Sequence, residues 1–229
     1  MPKRIEVNGY ITNDEDAPIY REWYEMTVTS PSDVINELPK DGSEVTIAIN
    51  SNGGEVDPAA QIYTALRNYS GQVTTQIESA AYSSASHIAM AGNVVQISPA
   101  AKMMIHNAKG GTWGGVEDMQ AAAGELEATN RTIANIYAEK TGRTVDEFLE
   151  LMQKETWLSP QDAMDLGMVD EVIDFKEPVT NSLTMVPKHS AIEKIKNLVA
   201  ENEKLKTQNS QPKSRTLREE KLAILLRED

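Results

Sequence analysis

The sequence contains no cysteine among its 229 residues, so disulfide bonds and cysteine-ligated metal sites are excluded. Basic residues are outnumbered by acidic ones. The chain has 22 lysines and arginines and 35 aspartates and glutamates, which gives a formal net charge of −13. A chain with this balance repels a phosphate backbone, which argues against nucleic acid as a partner. The stretch richest in basic residues, 188–218, is interleaved with acids and carries no aromatic residue.

Long apolar runs are missing as well. No run approaches the roughly 18 residues that a membrane-spanning helix requires. The N-terminus turns acidic at Glu6, which is too early for a signal peptide. We therefore expect no membrane partner and a cytoplasmic setting. Apolar residues still make up 40% of the chain, enough for one sizeable core with an appendage.

Short segments with strand patterns alternate with segments of helical periodicity. The strand-like segments are residues 5–11, 45–49, 73–77, 94–97, 102–106 and 168–173, and the helical segments are residues 31–38, 57–70, 83–92, 116–140, 144–153 and 159–167. This alternation predicts an α/β fold with mostly parallel strands and right-handed crossovers. Residues 12–30 are polar and irregular, and no element is predicted there.

The composition of the chain shifts near residue 176. We predict a globular domain over residues 1–175, a linker over 176–190 and a C-terminal tail over 191–229. The tail begins with an apolar stripe among charged residues, which is typical of a short amphipathic or coiled-coil helix, and then becomes polar. The tail is therefore expected to be helical in part and disordered in part.

Serines and small residues dominate the segment 78–92, which follows a predicted strand and is predicted to form a turn over residues 78–82 that leads into a short helix. A serine at the first turn of a helix, such as Ser83, lies beside free backbone N–H groups and the positive end of the helix dipole. A serine hydrolase needs this environment next to its nucleophile. Close helix packing through small residues is the alternative interpretation.

Histidine occurs at only three positions of the sequence. His106 ends a predicted strand and precedes a glycine-rich segment, where site residues of α/β sheets often lie, so it is the best candidate for a general base. His87 lies in the small-residue helix, where packing is the favoured role, and His189 lies in the predicted linker.

A further candidate feature is a pair of glycines. Gly53 and Gly54 follow a buried strand and can turn amide N–H groups outward, as an oxyanion hole requires.

Four ordered sequence blocks resemble the proteolytic subunit of the Clp protease, and most closely the branch that tailed bacteriophages use as head maturation (prohead) protease. The blocks are residues 49–54, 80–83 with 91–92, 104–107, and 155–160 leading to 167–170. The resemblance covers residues 5–175. It implies the spiral of ββα units found in the ClpP/crotonase-like fold, with a long handle helix at residues 116–140.

The resemblance also implies a role for individual residues. Ser83 matches the nucleophile, His106 the general base and Glu155 the third triad member, although the Clp subunit has an aspartate there. Gly54 and Ser84 match the residues whose N–H groups form the oxyanion hole. The chain departs from the family pattern at Ser79, usually a glycine, and at Tyr82, an alanine in the Clp subunit. Alternatives left open are Glu150 or Asp146 as the acid, Ser84 or Ser86 as the nucleophile, and a Ser–Lys dyad with Lys102 or Lys109.

In the family, the segment after the histidine pairs with extended substrate. This implies substrate binding by Lys109, Gly110, Gly111 and Thr112 through β-augmentation. No metal or cofactor is implied.

The resulting hypothesis is an ATP-independent serine endopeptidase that cleaves phage capsid or scaffold proteins during head maturation. It would work in the host cytoplasm or the assembling procapsid, as a homo-oligomeric ring. The alternatives are a crotonase-like acyl-CoA enzyme and a catalytically inactive capsid-assembly protein of the same fold.

Overall fold

The structure is a computed structural model that describes residues 2–174. The predicted linker over residues 176–190 and the predicted tail over 191–229 lie outside the described residues, as does His189. None of the helices within residues 2–174 is long and apolar enough to cross a membrane.

One mixed sheet organises the described part of the chain. Its strands are β1 (Lys3–Ile11), β2 (Val28–Thr29), β3 (Val45–Gly54), β4 (Val73–Tyr82), β5 (Val94–Ile97), β6 (Lys102–Ile105), β7 (Thr156–Leu158) and β8 (Glu171–Val172). The strand order is β2-β1-β3-β4-β5-β8, and β6 pairs with both β4 and β7. All pairs within residues 2–174 are parallel except β6 with β7, so the prediction of a mostly parallel sheet is confirmed.

Seven helices connect these strands within the described residues. They are α1 (Ala17–Glu22), α2 (Pro31–Ile35), α3 (Val56–Arg67), α4 (Ser84–Ala89), α5 (Val116–Thr141), α6 (Val145–Gln153) and α7 (Pro160–Leu166). The starts of α6 and α7 are fixed by capping boxes, in which Thr144 accepts from the N–H of Glu147 and Ser159 accepts from that of Asp162. α5 has the length expected of the handle helix.

The core lies where α3 and α4 pack against the middle of the sheet. Its largest fully buried side chains include Ile47, Ile49, Ile62, Leu66, Ile77, Ile88, Met103, Tyr137 and Phe148. β3 is buried between β1 and β4, which explains why its first half shows in the sequence as a short apolar run.

Strand β4 changes partner along its length. Residues 74–77 pair with β5, whereas residues 80–82 pair with β6. Because of this change, the C-terminal end of β4 lies beside the end of β6. The residues that follow these two strands, Ser83 and His106, therefore emerge at the same edge of the sheet.

Three parts of the predicted secondary structure were wrong. Residues 12–30, predicted to be irregular, contain α1 and β2. Residues 78–82 were predicted to be a turn, but they extend β4 because β6 supplies a hydrogen-bonding partner. Residues 156–158 carried no strand prediction and form β7, which exists through its antiparallel pairing with β6.

Candidate active site

Ser83 occupies a strained turn between β4 and α4. It is the N-cap residue of α4, with φ 54° and ψ −128°, a conformation that non-glycine residues rarely adopt. Its N–H donates to the carbonyl of Met104 at 2.8 Å, and its carbonyl accepts from the Ser86 hydroxyl at 2.5 Å. Both peptide groups of the turn are thus fixed by hydrogen bonds, and the side chain is presented at the sheet edge. Strand–turn–helix geometry of this kind holds the nucleophile of many hydrolases.

His106 follows β6 directly and contacts Ser83. The distance between its Nε2 and the Ser83 Oγ is 2.7 Å. A hydroxyl within hydrogen-bonding distance of an imidazole can transfer its proton to the ring as it attacks an electrophile.

The environment of His106 favours the neutral imidazole. Burial lowers the pKa of His106 below its ordinary value, and the positive charge of Lys109 lowers it further. The carboxylate of Glu155 and the backbone of Asn107 act in the opposite direction but do not outweigh burial. The ring is therefore unprotonated, and able to accept a proton, at neutral pH.

The backbone at the end of β3 approaches Ser83 so closely that a side chain at position 53 would not fit. Gly53 has φ +88°, and a Cβ placed on it would lie 2.8 Å from the Ser83 Cβ and 3.0 Å from the Ser84 N. Gly54 is pressed against β1, where a Cβ would lie 2.1 Å from the Ile11 carbonyl oxygen. Glycine at both positions lets the backbone of β3 reach the serine turn, and Ser84 begins α4, whose first N–H groups have no helical partner.

A cleft of about 560 Å³ opens over these groups. Gly53, Gly54, Ser83 and His106 all line it. The rest of its lining is Gly9, Tyr10, Met26, Thr27, Asn52 and Met104. Sequence reasoning missed Tyr10, Met26 and Thr27, which come from β1 and from the segment predicted to be irregular. Tyr10 reaches the cleft from β1, whereas Met26 and Thr27 are placed there by the folding of residues 12–30 into α1 and β2, for which the local sequence pattern carries no signal.

Glu155 is close enough to His106 to raise the pKa of the ring, but its carboxylate makes no hydrogen bond to the Nδ1. Its carboxylate is 3.3 Å from the Nζ of Lys109. The Nδ1 of His106 is buried and has no hydrogen-bond partner among the described residues. The two fallback acids, Glu150 and Asp146, are exposed on α6, and Glu150 pairs with Lys154 at 3.9 Å. The structure thus brings two of the three predicted triad residues into contact and leaves the third nearby.

The rival nucleophiles are engaged elsewhere. Ser84 is fully buried, and its hydroxyl meets no hydrogen-bond partner within residues 2–174. The hydroxyl of Ser86 bonds to the carbonyl of Ser83 and, at 2.7 Å, to the hydroxyl of Tyr137. These contacts favour Ser83, whose hydroxyl faces His106 and the cleft.

His87 and the two lysines of a possible dyad are accounted for in other ways. The ring of His87 is buried against Tyr137, with 5.7 Å between centroids, and burial lowers its pKa to about 3. This is the packing role favoured for His87 from its position in the sequence. Lys109 is paired with Glu155, and Lys102 is an exposed residue of β6.

The segment proposed for substrate binding forms no regular structure between β6 and α5. Lys109, Gly110 and Gly111 line a second groove, of about 500 Å³, together with Gly54 and residues of α3 and α5. Thr112 is exposed and does not line this groove. Because Gly54 belongs to both, the groove adjoins the cleft over Ser83.

Comparison with known proteins finds similarity to proteolytic subunits of Clp proteases. The "ATP-dependent Clp protease proteolytic subunit" of Bacteroides fragilis is 31% identical over 134 residues, which are 58% of this chain and 65% of that protein. The chain thus spans slightly less than two thirds of that relative's length. "ATP-dependent Clp protease proteolytic subunit 1" of Protochlamydia amoebophila is 24% identical over 79% of this chain and 84% of its own.

Among solved structures, a ClpP1 mutant from Listeria monocytogenes superposes with a TM-score of 0.63 at 21% identity. The superposition covers 76% of this chain and 92% of that chain, which confirms the ClpP-like fold. The sequence profile of the family described as Clp protease matches residues 32–176, more than half of the 229 residues. The chain therefore belongs to the Clp protease family.

Proposed function

We propose that the protein is an ATP-independent serine endopeptidase with Ser83 as nucleophile and His106 as general base. The observation that carries this proposal is the 2.7 Å contact between the Ser83 Oγ and the His106 Nε2, at the floor of an open cleft. A serine hydroxyl is a weak nucleophile until an adjacent base takes its proton. The lowered pKa of His106 keeps that base available at neutral pH.

The proposed reaction uses an acyl-enzyme. The Ser83 Oγ attacks a peptide carbonyl carbon while its proton passes to the His106 Nε2. Backbone N–H groups of Gly54 and Ser84 bind the oxyanion. His106 then protonates the leaving amine as the C–N bond breaks, and water, deprotonated by His106, hydrolyses the ester and restores Ser83.

Glu155 is proposed as the acid that orients His106 and stabilises the imidazolium. A carboxylate that accepts from the Nδ1–H holds the ring in the tautomer that leaves Nε2 free to accept a proton. The support for this role is the position of Glu155 beside His106, and its negative charge raises the pKa of that ring.

Labelling with a fluorophosphonate probe tests the proposed nucleophile. We expect the wild-type protein to be labelled and the Ser83→Ala variant to remain unlabelled. Label that survives the Ser83→Ala substitution would overturn the assignment. Binding of coenzyme A by both proteins, without labelling, would instead support the acyl-CoA alternative, which family membership does not favour.

We infer that extended substrate pairs with the backbone of residues 109–112. The groove along Lys109, Gly110 and Gly111 adjoins the cleft and offers backbone outside any regular element. Gly111→Pro removes one N–H donor, whereas Gly111→Ala keeps it, and a Cβ at this position meets no heavy atom of the described chain within 4 Å. We expect Gly111→Pro to lower peptide turnover and Gly111→Ala to preserve it. Equal turnover in both variants would rule out this docking mode.

The proposed substrates are capsid or scaffold proteins of a tailed phage, and the proposed site of action is the host cytoplasm or the procapsid. The support is the likeness of the four sequence blocks to the prohead protease branch, together with the predicted tail after residue 190. Incubation of the purified protein with capsid proteins, followed by mass spectrometry of the products, tests this choice. Cleavage of generic peptides without any cleavage of capsid proteins would count against it.

A further inference from the structure

The register of β6 and β7 places Glu155 opposite His106. The ladder pairs Met103 with Leu158, Met104 with Trp157 and Ile105 with Thr156, so the next opposed positions are 106 and 155. Directly opposed residues of an antiparallel pair have their Cβ atoms roughly 5 Å apart. The carbonyl of Met152 reinforces this proximity, because it accepts both the Asn107 N–H at 3.2 Å and the Glu155 N–H at 3.1 Å.

The backbone of Glu155 carries strain that a glycine would avoid. Its φ of 51° lies in the left-handed region, and it follows the C-cap residue of α6, a position that glycine usually occupies. A non-glycine residue at such a strained position is the kind of outlier that motivates a hypothesis of function for its side chain.

The imidazole opposite Glu155 lacks the partner that this carboxylate would provide. The His106 Nδ1 is buried and makes no hydrogen bond of normal geometry within residues 2–174, although the backbone of Asn107 is close enough to raise the pKa of the ring. When Nε2 accepts from Ser83, the ring proton resides on Nδ1, so a buried donor is left unsatisfied, which is unfavourable.

The carboxylate of Glu155 is instead bound to the Nζ of Lys109 at 3.3 Å. This ion pair is exposed, with 75% of the Lys109 side chain and 47% of the Glu155 side chain accessible. Exposed pairs of this kind are weak and are screened by salt, so a modest change in surroundings can break the contact.

We propose that Lys109 is a positioning residue that holds Glu155 away from His106 until substrate binds along residues 109–112. Lys109 opens the segment that the substrate is proposed to occupy, so a bound peptide changes the surroundings of its ammonium group. Glu155, once released, accepts from the His106 Nδ1–H and completes the triad. This inference rests on the proposed roles of Ser83 and His106.

A double-mutant cycle tests the inference without peptide, using the rate constant for labelling by a fluorophosphonate at low ionic strength. At pH about 8, His106 is unprotonated in every variant, so changes in its pKa do not affect the rate. We expect Lys109→Met to raise the rate about two- to fivefold, the range that an exposed ion pair can withhold. In the Glu155→Gln background the same substitution should leave the rate unchanged. Lys154→Met, which removes an equally exposed ammonium group paired with Glu150, is the matched control and should match the wild type.

Salt gives a second readout that a purely structural role for Lys109 would not produce. About 0.5 M NaCl, which screens exposed charges, should raise the wild-type rate toward that of Lys109→Met and leave the rate of Lys109→Met unchanged. The role of Lys109 alone is overturned if the wild type is labelled but Lys109→Met is labelled no faster. It is also overturned if Lys109→Met raises the labelling rate equally in the Glu155→Gln background. Absence of labelling in all variants overturns the proposed nucleophile and, with it, this inference.

Discussion

At the scale of single residues, the conformation of Ser83 is maintained by its neighbours. A non-glycine residue in such a conformation costs about 1–3 kcal/mol. The hydrogen bonds from its N–H to Met104 and from the Ser86 hydroxyl to its carbonyl over-determine the turn. Tyr137 in turn fixes the Ser86 hydroxyl from the handle helix α5. The site is thus rigid at the nucleophile, and the adjustable contact is the one between Glu155 and Lys109.

The first prediction concerns the pH dependence of His106. The base form must be unprotonated, and burial lowers its pKa, so kcat/KM should fall with decreasing pH only below the ordinary value of 6.5. Lys109→Met removes a charge that lowers the pKa and should move the acid limb to higher pH, whereas Glu155→Gln should move it to lower pH. Burial lowers the pKa of the neighbouring imidazole of His87 to about 3, so His87 stays neutral over the upper part of this range and contributes no charge there. A profile of kcat/KM from pH 4 to 8 for the three proteins checks the sign of both shifts, and a wild-type limb above 6.5 would contradict the account.

His87 gives a second prediction, on stability. Its pKa is about 3 in the folded protein and about 6.5 when unfolded, so the unfolded chain binds the proton more tightly between these values. The free energy of unfolding should therefore decline as the pH falls below 6.5, by up to about 1.4 kcal/mol per unit from this residue. Urea titrations at two pH values should show that His87→Gln loses ~2 kcal/mol less than the wild type between pH 7 and 5. Equal losses in the two proteins would show that His87 is not held neutral by burial.

At the scale of secondary-structure elements, two strand ends and one helix start build the site. The switch of β4 from β5 to β6 places Ser83 beside His106, and β3 delivers Gly53 to the same edge. In open parallel sheets ligands commonly bind at this edge, in the crevice outside the carboxyl ends of the strands. The chemistry therefore depends on how closely the three chain segments approach one another.

The third prediction tests that close approach. Gly53→Ala introduces a Cβ 2.8 Å from the Ser83 Cβ at a φ of +88°, so we expect the labelling rate to fall by about a hundredfold. Gly124→Ala in α5 is the control, because its Cβ meets no heavy atom of the described residues within 4 Å. That substitution should stabilise the fold by about 0.5–1 kcal/mol and leave labelling unchanged. A Gly53→Ala protein that folds, as judged by its melting temperature, and labels at the wild-type rate would contradict this packing.

The sequence predicted those elements whose pattern is set by their own residues. Buried strands such as β3 show as apolar runs, and capped helices such as α6 show their first turn in the chain itself. β2 and β7 have two and three residues, too few for a pattern, and they exist through pairing with β1 and β6. The contact between Ser83 and His106 was predictable only through the family resemblance. The ion pair of Glu155 with Lys109 depends on side-chain positions that no sequence pattern encodes.

At the scale of the whole molecule, apolar side chains at and just before the start of α5 are not covered by any other part of residues 2–174. Its buried residues, Ile133, Ala134 and Tyr137, all lie toward its C-terminal end. Near its start, Trp113 is 98% exposed, Val116 67% and Met119 47%. Exposed apolar surface of this kind is commonly covered by a partner. We therefore propose a homo-oligomer in which this end of α5 is buried between copies, in keeping with the ring expected from the family resemblance.

The fourth prediction addresses this assembly. Met119→Glu places a charge among the exposed apolar side chains near the start of α5, beside those of Trp113 and Val116. We therefore expect this variant to sediment at a lower mass than the wild type in analytical ultracentrifugation. Gln120→Glu adds the same charge at the adjacent exposed position and should leave the mass unchanged. An unaltered mass for Met119→Glu, or a monomeric wild type, would argue that this surface is not an interface.

The central claim is that His106 activates Ser83 and neither of the neighbouring serines, Ser84 and Ser86. Tandem mass spectrometry of the protein after reaction with a fluorophosphonate tests it most directly, because it assigns the adduct to a residue. The account predicts an adduct on Ser83 in the wild-type protein and none in His106→Ala. An adduct on Ser84 or Ser86, or one on Ser83 that forms equally fast without His106, would contradict it.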